Sequence, residues 1–377
     1  MAEPSAIVVG AGVFGASVAD RLAGSGWGVT LVEADEPGHD RATSSGHTRV
    51  IRYGHGPDVR YVRMAWRART LWQELEQEMG TDLLVRCGVL WLARSDDGWE
   101  AVSEAVLRAK GIPVERLDPG QAARLYPSFS AEGLTHAMLE TEAGALRARD
   151  ATRALVDRAV ARGATLVRGH AVPAADGGVI VDGRTRQADR VVWAAGPWLG
   201  RLFPGLVELR VVRREYDYFE AGPEWSAASV PIFYDFAGPV YGIGDVDGRG
   251  FKVAPDDPAP EFDPDTIDRP ADPGSEAASR AYLRLRFPAL ATAPLLGYRV
   301  CQYELTADNQ FIVAPHPEHD GVWILGGGSG HGFKHGPALA EYVERLLEGA
   351  EPPDPRLGLG ARRPETGLRS AAEDFER

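Results

Sequence analysis

Ala6-Ile-Val-Val-Gly10-Ala-Gly12-Val-Phe-Gly15, running on to Leu31-Val-Glu33, is the stretch that decides the fold. A short β-branched run, Ala6 to Val9, meets the pattern Gly10-x-Gly12-x-x-Gly15, with Val13 and Phe14 between the last two glycines. A helix-like segment carrying Ala19, Leu22 and Ala23 follows and breaks at Gly24 to Gly28. Val29 to Val32 then reads as a second strand ending on Glu33. Strand, glycine turn, helix, strand and acid in this order make the pattern informative, where a lone glycine motif would not be. Gly10 permits the tight turn, Gly12 lets backbone approach a pyrophosphate, and Gly15 lets the helix close on the strand. Phosphates then meet free N–H groups and the positive end of the helix dipole. Glu33 is placed to accept hydrogen bonds from a ribose. The stretch predicts a site for an ADP moiety.

The bulk composition narrows the class. The chain has 377 residues, enough for two to three domains and a large core. Its formal charge of −13 disfavours a phosphate-backbone partner, which needs clustered cations. Two cysteines, Cys87 and Cys301, exclude a disulfide framework and a cysteine-rich metal site, and no metal is expected. A reduced cytoplasmic setting fits this usage. The apolar run from Ala6 to Ala19 is too short to span a bilayer and lacks a basic leader, so no membrane association is expected. Lys and Arg together number 41, yet only Lys110, Lys252 and Lys334 are lysines. Arginine is the default cation here, so a lysine marks a place where a compact, titratable ammonium matters.

Beyond Glu33, a turn-rich loop from Pro37 to His47 leads into Thr48-Arg-Val-Ile-Arg52. In a strand Arg49 and Arg52 would face opposite sides, in a helix one side. Tyr61 to Met79 reads as an amphipathic helix, and Leu83 to Ala93 as a strand pair around Gly88, with Cys87 as a buried small residue. Trp99 to Lys110 and Ala151 to Arg162 read as helices, and Asp189 to Trp198 as a second buried strand ending at Gly196, joining the same parallel sheet. Leu209 to Ile243 shifts to aromatic-rich strands, and Asp256 to Asp272 is a Pro/Asp-rich loop. The predicted fold class is mixed α/β: a Rossmann-like dinucleotide-binding domain with an interleaved β-rich substrate domain. The first takes in 1–80, 141–210 and 300–362, the second 81–140 and 211–299, and 363–377 forms a polar, frayed tail.

Two late stretches carry the chemistry: Arg299-Val-Cys301-Gln-Tyr303-Glu-Leu-Thr306-Ala-Asp308 and Gly326-Gly-Gly-Ser329-Gly330-His331-Gly332-Phe333-Lys334. With the opening fingerprint and Thr48-Arg-Val-Ile-Arg52 they closely resemble the flavoprotein amine oxidases of the monomeric sarcosine oxidase and N-methyltryptophan oxidase type, within the D-amino-acid-oxidase-like superfamily. The resemblance runs from residue 6 to about residue 362. It implies FAD, joined through the sulfur of Cys301 to the flavin 8α carbon. A thiolate is the nucleophile such a bond requires.

Further assignments follow from the same resemblance. Arg52 and Lys334 match the two cations that clasp a substrate carboxylate, a fork plus a point charge. Lys252 matches the lysine that contacts flavin N5 through water and promotes reaction with O2. Arg49 matches an arginine stacked near the flavin, and Tyr241 a tyrosine of the substrate pocket. The FAD site would also draw on Ala34, Arg41, Ser44, Ser45, Thr48, Val172, Gly196, Trp198, Gly328, Gly330, His331, Gly332 and Phe333. One departure stands out: where the family carries a histidine four residues after the lysine, this chain has Asp256. A carboxylate there would be acceptor-only and would favour a cationic or hydroxyl-bearing substrate group. His55, His316, His319 and His335 read as surface or satisfied histidines.

The resulting expectation is a monomeric FAD-dependent oxidase of a secondary or cyclic amino acid. Hydride would pass to flavin N5, giving an imine, and O2 would be reduced to H2O2. A dehydrogenase with another electron acceptor is the alternative within enzymes. An RNA-modifying flavoprotein is disfavoured by the acidic charge. A nicotinamide reductase or nucleotide sensor would leave Cys301 and the Ser329–Lys334 segment without a role.

Overall fold

A computed structural model describes residues 3–363, so all of the expected tail except Arg363 lies outside the described residues. The opening residues form β1 (Ser5–Val9), α1 (Val13–Gly24) and β2 (Gly28–Glu33). β1 pairs in parallel with β2 on one side and with Arg190–Trp193 on the other. The full sheet has six strands in the order Ile312–Pro315, Val322–Gly326, Arg190–Trp193, β1, β2, Thr165–Arg168. Only the first of these runs antiparallel to its neighbour. Central strands covered on both faces read as continuous apolar runs, which is why Ala6–Val9 and Val191–Trp193 are buried throughout.

Against this sheet α1 packs between Ala148–Ala161 and Gly336–Leu347. Ala16, Ala19, Ala151, Ala159 and Ala340 are all buried, and such small side chains let the helices approach closely. One polar feature crosses this layer: Asp20 on α1 accepts from Arg158 at 2.6 Å and from Arg162 at 3.1 Å. Asp20→Asn leaves Arg158 with Glu78 as its remaining acid. The expected loss is about 3 kcal/mol, the low end for breaking a buried pair, read as a lower denaturant midpoint at unchanged slope.

A second, eight-stranded sheet runs Leu295–Leu305, Arg210–Phe219, Phe251–Pro255, Val240–Ile243, Ile232–Asp235, Val89–Ala93, His136–Glu140, Glu115–Leu117. Its outer face buries Phe219, Phe233, Phe251 and Phe287 beside the helix Pro273–Arg286. Leu295–Leu305 is continuous through residues 299 and 300, so the expected boundary at that point falls inside a strand. Cys301 therefore comes from the eight-stranded sheet. A small sheet joins β3 (Thr48–Ile51), Gly144–Arg147 and Leu84–Val85. The helix α2 (Val59–Met79) buries Tyr61, Trp72 and Leu75.

The expected strand pair around Gly88 is not a hairpin. Leu84–Val85 pairs with Gly144–Arg147, while Val89–Ala93 lies between His136–Glu140 and Ile232–Asp235 in the other sheet. Gly88, at φ +76°, turns the chain from one sheet into the next. All five residues of Val89–Ala93 are buried, as a central strand requires. Cys87 is half-buried rather than buried.

Candidate active site

The glycine turn is built by contact as much as by conformation. Gly10 sits at φ +101°, and a Cβ there would lie 2.5 Å from Ala194 O. A Cβ on Gly15 would lie 1.9 Å from Gly10 O, so only glycine lets α1 start this close to β1. Gly12 caps α1 without a side-chain hydrogen bond. Ser44 Oγ accepts from Val13 N at 2.9 Å. Glu33 accepts from Ala11 N at 2.6 Å through one oxygen and from Asp35 N at 3.0 Å through the other, leaving lone pairs for a further donor.

This turn opens on a cavity of about 490 Å³, in the range of cofactor and ligand sites. Gly10, Gly12, Val13, Phe14, Glu33, Ala34, Arg41, Ser44, Val172, Gly196 and Trp198 line it, as the sequence implies. So do Arg49, Arg52, Tyr241, Gly328, Gly330, His331, Gly332, Phe333 and Lys334. Six expected residues do not: Gly15, Ser45, Thr48, Lys252, Asp256 and Cys301. Gly15 acts through the turn, and Ser45 and Thr48 contribute carbonyls that hold Arg49, at 2.6 Å and 3.0 Å.

Two buried cations share the cavity. Lys334 is 2% exposed, and its Nζ donates to His331 O at 2.7 Å. Burial, followed by the Arg52 guanidinium, pulls its pKa well below the lysine value. Arg52 is 3% exposed and lies over the rings of Trp91 at 5.0 Å, Tyr234 at 5.4 Å and Trp99 at 5.8 Å. Its Nη1 donates to Gly54 O. Cations held against aromatic faces retain attraction after leaving water.

Behind the wall formed by Arg49, Tyr241 and Tyr303 lies a small void that also borders Cys301. Cys301 Sγ is 3.4 Å from Arg49 Nη2. Lys252, 1% exposed, places Nζ 3.9 Å from the centroid of Tyr216 and 5.2 Å from that of Tyr241. Burial first, and Arg49 second, push its pKa well below the ordinary value.

Asp256 corrects the sequence reading. Its carboxylate accepts from Arg214 Nε at 3.0 Å, both side chains are buried, and Arg214 in turn covers the ring of Tyr303 at 5.0 Å. It is an internal ion-pair partner behind the cavity wall, not a group presented to a substrate. Of the histidines, His335 departs from expectation, being buried with neither ring nitrogen hydrogen-bonded among the described residues, whereas His55 Nδ1 meets Tyr53 O at 2.9 Å. His316 and His319 are half-buried, but His55 and His335 are fully buried and cluster with His331 around Tyr61 and Phe311. Burial, then Lys334, drives His55 and His335 well below the usual imidazole pKa, so these two rings are neutral at pH 7. Ring nitrogens of the three approach within 4.8 Å of one another. With Lys334 and Arg52 beside them and no carboxylate in the group, this is a poor place for a cation.

Several cavity residues were missed by the sequence reading. Tyr234, Tyr303 and Glu304 line it. Glu304 accepts from Gly328 N at 3.3 Å, and burial raises its pKa. Tyr303 and Glu304 sit in the quoted Cys301 stretch, but as neighbours on one strand they point to opposite faces, so alternation did not mark both.

A glycine cradle at a helix N-terminus, an acid at the second strand and a large cavity fit a dinucleotide cofactor. Two buried cations at the same cavity fit an anionic substrate. Together they fit an oxidoreductase that holds a dinucleotide beside an anionic substrate. The chain belongs to the DAO family, described as FAD dependent oxidoreductase, which matches residues 5–346. It is 29% identical over 359 residues to a monomeric sarcosine oxidase of Bacillus sp. (strain B-0618), covering 90% of this chain and 91% of that one. It is 27% identical over 354 residues to the N-methyl-L-tryptophan oxidase of Yersinia pestis (strain Pestoides F), covering 89% and 93%. Among solved structures, L-proline dehydrogenase from P. horikoshii shares the fold with a TM-score of 0.83 at 21% identity, over 94% of this chain and 95% of that one. NikD, an amino acid oxidase of nikkomycin biosynthesis, does so at 0.77 and 23%, over 94% and 97%. Among the described residues no helix is long and apolar enough to cross a membrane.

Proposed function

We propose that this chain is an FAD-dependent oxidase of a secondary or cyclic amino acid, with the flavin bonded to Cys301 and electrons passing to O2 to give H2O2. The observation that carries the substrate class is the convergence of Arg52 and Lys334 on one aromatic-walled cavity. The relatives named above for sarcosine and N-methyl-L-tryptophan support an amino acid alkylated on nitrogen. The six-stranded sheet with its helices is read as the cofactor unit and the eight-stranded sheet as the substrate unit.

When bound, the flavin supplies the hydride acceptor and the route to O2. The chain's own residues do the rest. Arg52 and Lys334 bind the carboxylate and fix the amino acid by that end. Tyr234, Tyr241, Tyr303 and Phe333 exclude water and leave an apolar space for the side chain or ring. Lys252, when protonated, would set a positive charge beside Tyr216 and Tyr241 behind the cavity wall, favouring negative charge that develops on O2.

The first test is acid precipitation of the purified protein. Colour staying with the pellet, and a mass increase of one FAD that Cys301→Ser abolishes, support the covalent oxidase. An H2O2-coupled screen of N-methyl and cyclic amino acids then identifies the substrate. Flavin released wholly into the supernatant would overturn the covalent link. Substrate oxidation without H2O2 would overturn the oxidase.

The two lysines also set a pH expectation. Both must be protonated to act, so kcat/KM falls as pH rises through their depressed values, well before 10.5. Stability runs the other way. The unfolded chain holds these protons more tightly, so unfolding becomes harder with rising pH between the depressed values and 10.5. Activity and thermal unfolding measured across the same alkaline series should therefore diverge.

A further inference from the structure

Glu140 ends the strand His136–Glu140 and is wholly buried. Three N–H groups converge on it: Tyr53 N at 2.5 Å, Trp91 Nε1 at 2.7 Å and Gly54 N at 3.1 Å. Burial raises the pKa of this carboxyl, while the three donors and the Arg52 guanidinium each act to keep it ionised. Each donor bears on Arg52. Tyr53 and Gly54 directly follow it, Gly54 O receives its guanidinium, and Trp91 supplies the ring on which that guanidinium rests. The charge of Glu140 also reaches both cations of the pocket, Arg52 and Lys334. Around Lys334 the other facing groups are Arg52 and the neutral imidazoles of His55 and His335, with His331 preceding it in the same turn. The Arg52 guanidinium opposes a positive charge on Lys334, and Glu140 is the carboxylate that supports one.

We propose that Glu140 is the resident counter-charge of the Arg52–Lys334 pair and the positioning residue for Arg52, so that the pocket admits one carboxylate and rejects a second. Two cations and one built-in anion leave room for a single negative charge from outside. A dicarboxylate would have to bury an uncompensated charge, which is strongly disfavoured. This inference rests on the reading that Arg52 and Lys334 take the substrate carboxylate.

The chain's three lysines make a direct test feasible. The flavin-loaded enzyme labelled with 13C at lysine Cε gives three methylene signals, and the one from Lys334 is followed against pH without ligand. In Glu140→Gln it should titrate about one unit or more below wild type, while Lys110 is unmoved. Glu140→Asp, which keeps the charge, should restore most of the difference. A Lys334 titration identical in wild type and Glu140→Gln would overturn the proposal, since a merely structural residue would leave it in place. A second measurement needs no variant: wild type should bind acetate at least about tenfold more tightly than malonate, and equal or tighter malonate binding would also overturn it. Acetate that leaves the Lys334 signal unmoved would overturn the carboxylate clasp itself, and the proposal with it. The ligand-free titration tells these two failures apart.

Discussion

Lys334→Met should lower kcat/KM for the amino-acid substrate by roughly 30-fold to several thousand-fold, from the ~2–5 kcal/mol lost when one partner of a buried charge pair is removed. The side chain is 2% exposed, so no water replaces the ammonium once it is gone. The loss should fall mainly on KM, because a contact to a spectator carboxylate is made in ground and transition states alike. Lys334→Arg should not restore activity, since a planar fork does not reproduce the point contact that the ammonium makes with the His331 carbonyl. An amine substrate without a carboxylate provides the control. If wild type and Lys334→Met differ as much on that amine as on the amino acid, Lys334 does not bind the carboxylate.

Gly15→Ala should yield a colourless, poorly folded protein. Its Cβ would stand 1.9 Å from Gly10 O, a backbone atom with nowhere to go because Gly10 is itself pressed against Ala194. Overpacking of this kind costs about 3 kcal/mol or more, and here it also pushes α1 away from the phosphate site. Gly12→Ala separates the two effects. Its Cβ meets only Ser44 Oγ, at 3.2 Å, so the fold should survive while flavin affinity collapses. Thermal unfolding alongside flavin absorbance distinguishes the pair. Equal thermal midpoints for wild type and Gly15→Ala would refute the packing argument.

Local order was readable wherever residues act through their neighbours in sequence. The turn at Gly10–Gly15, the acid at Glu33 and the helix α2 follow from spacing alone. The scarcity of lysine drew attention to Lys334 in the cavity and to Lys252 behind its wall, while Arg52 came only through the family resemblance. What escaped was pairing across distance. Nothing near Asp256 announces Arg214, which reaches it from a neighbouring part of the sheet, and so a carboxylate taken as substrate-facing proved internally neutralised. Glu140 was invisible for the same reason: its donors come from Tyr53, Gly54 and Trp91, on other strands and loops. Both strands expected around Gly88 are present but pair in different sheets, because alternation reports which face is buried, not which strand lies alongside.

The strand order of the parallel sheet bears on how this protein is made. β1 is followed closely in the chain by its partner β2, but its other neighbour, Arg190–Trp193, is some 180 residues away. That neighbour waits in turn for Val322–Gly326, close to the end. Until Arg190–Trp193 is made, the apolar strand β1 presents an open edge, the feature most prone to pairing with another chain. Closure of the sheet is slow, as distant parallel pairings are. A polypeptide interrupted anywhere before residue 326 would keep its glycine turn yet lack the sheet that supports it. Such fragments would be clients for chaperones and proteases rather than partial enzymes.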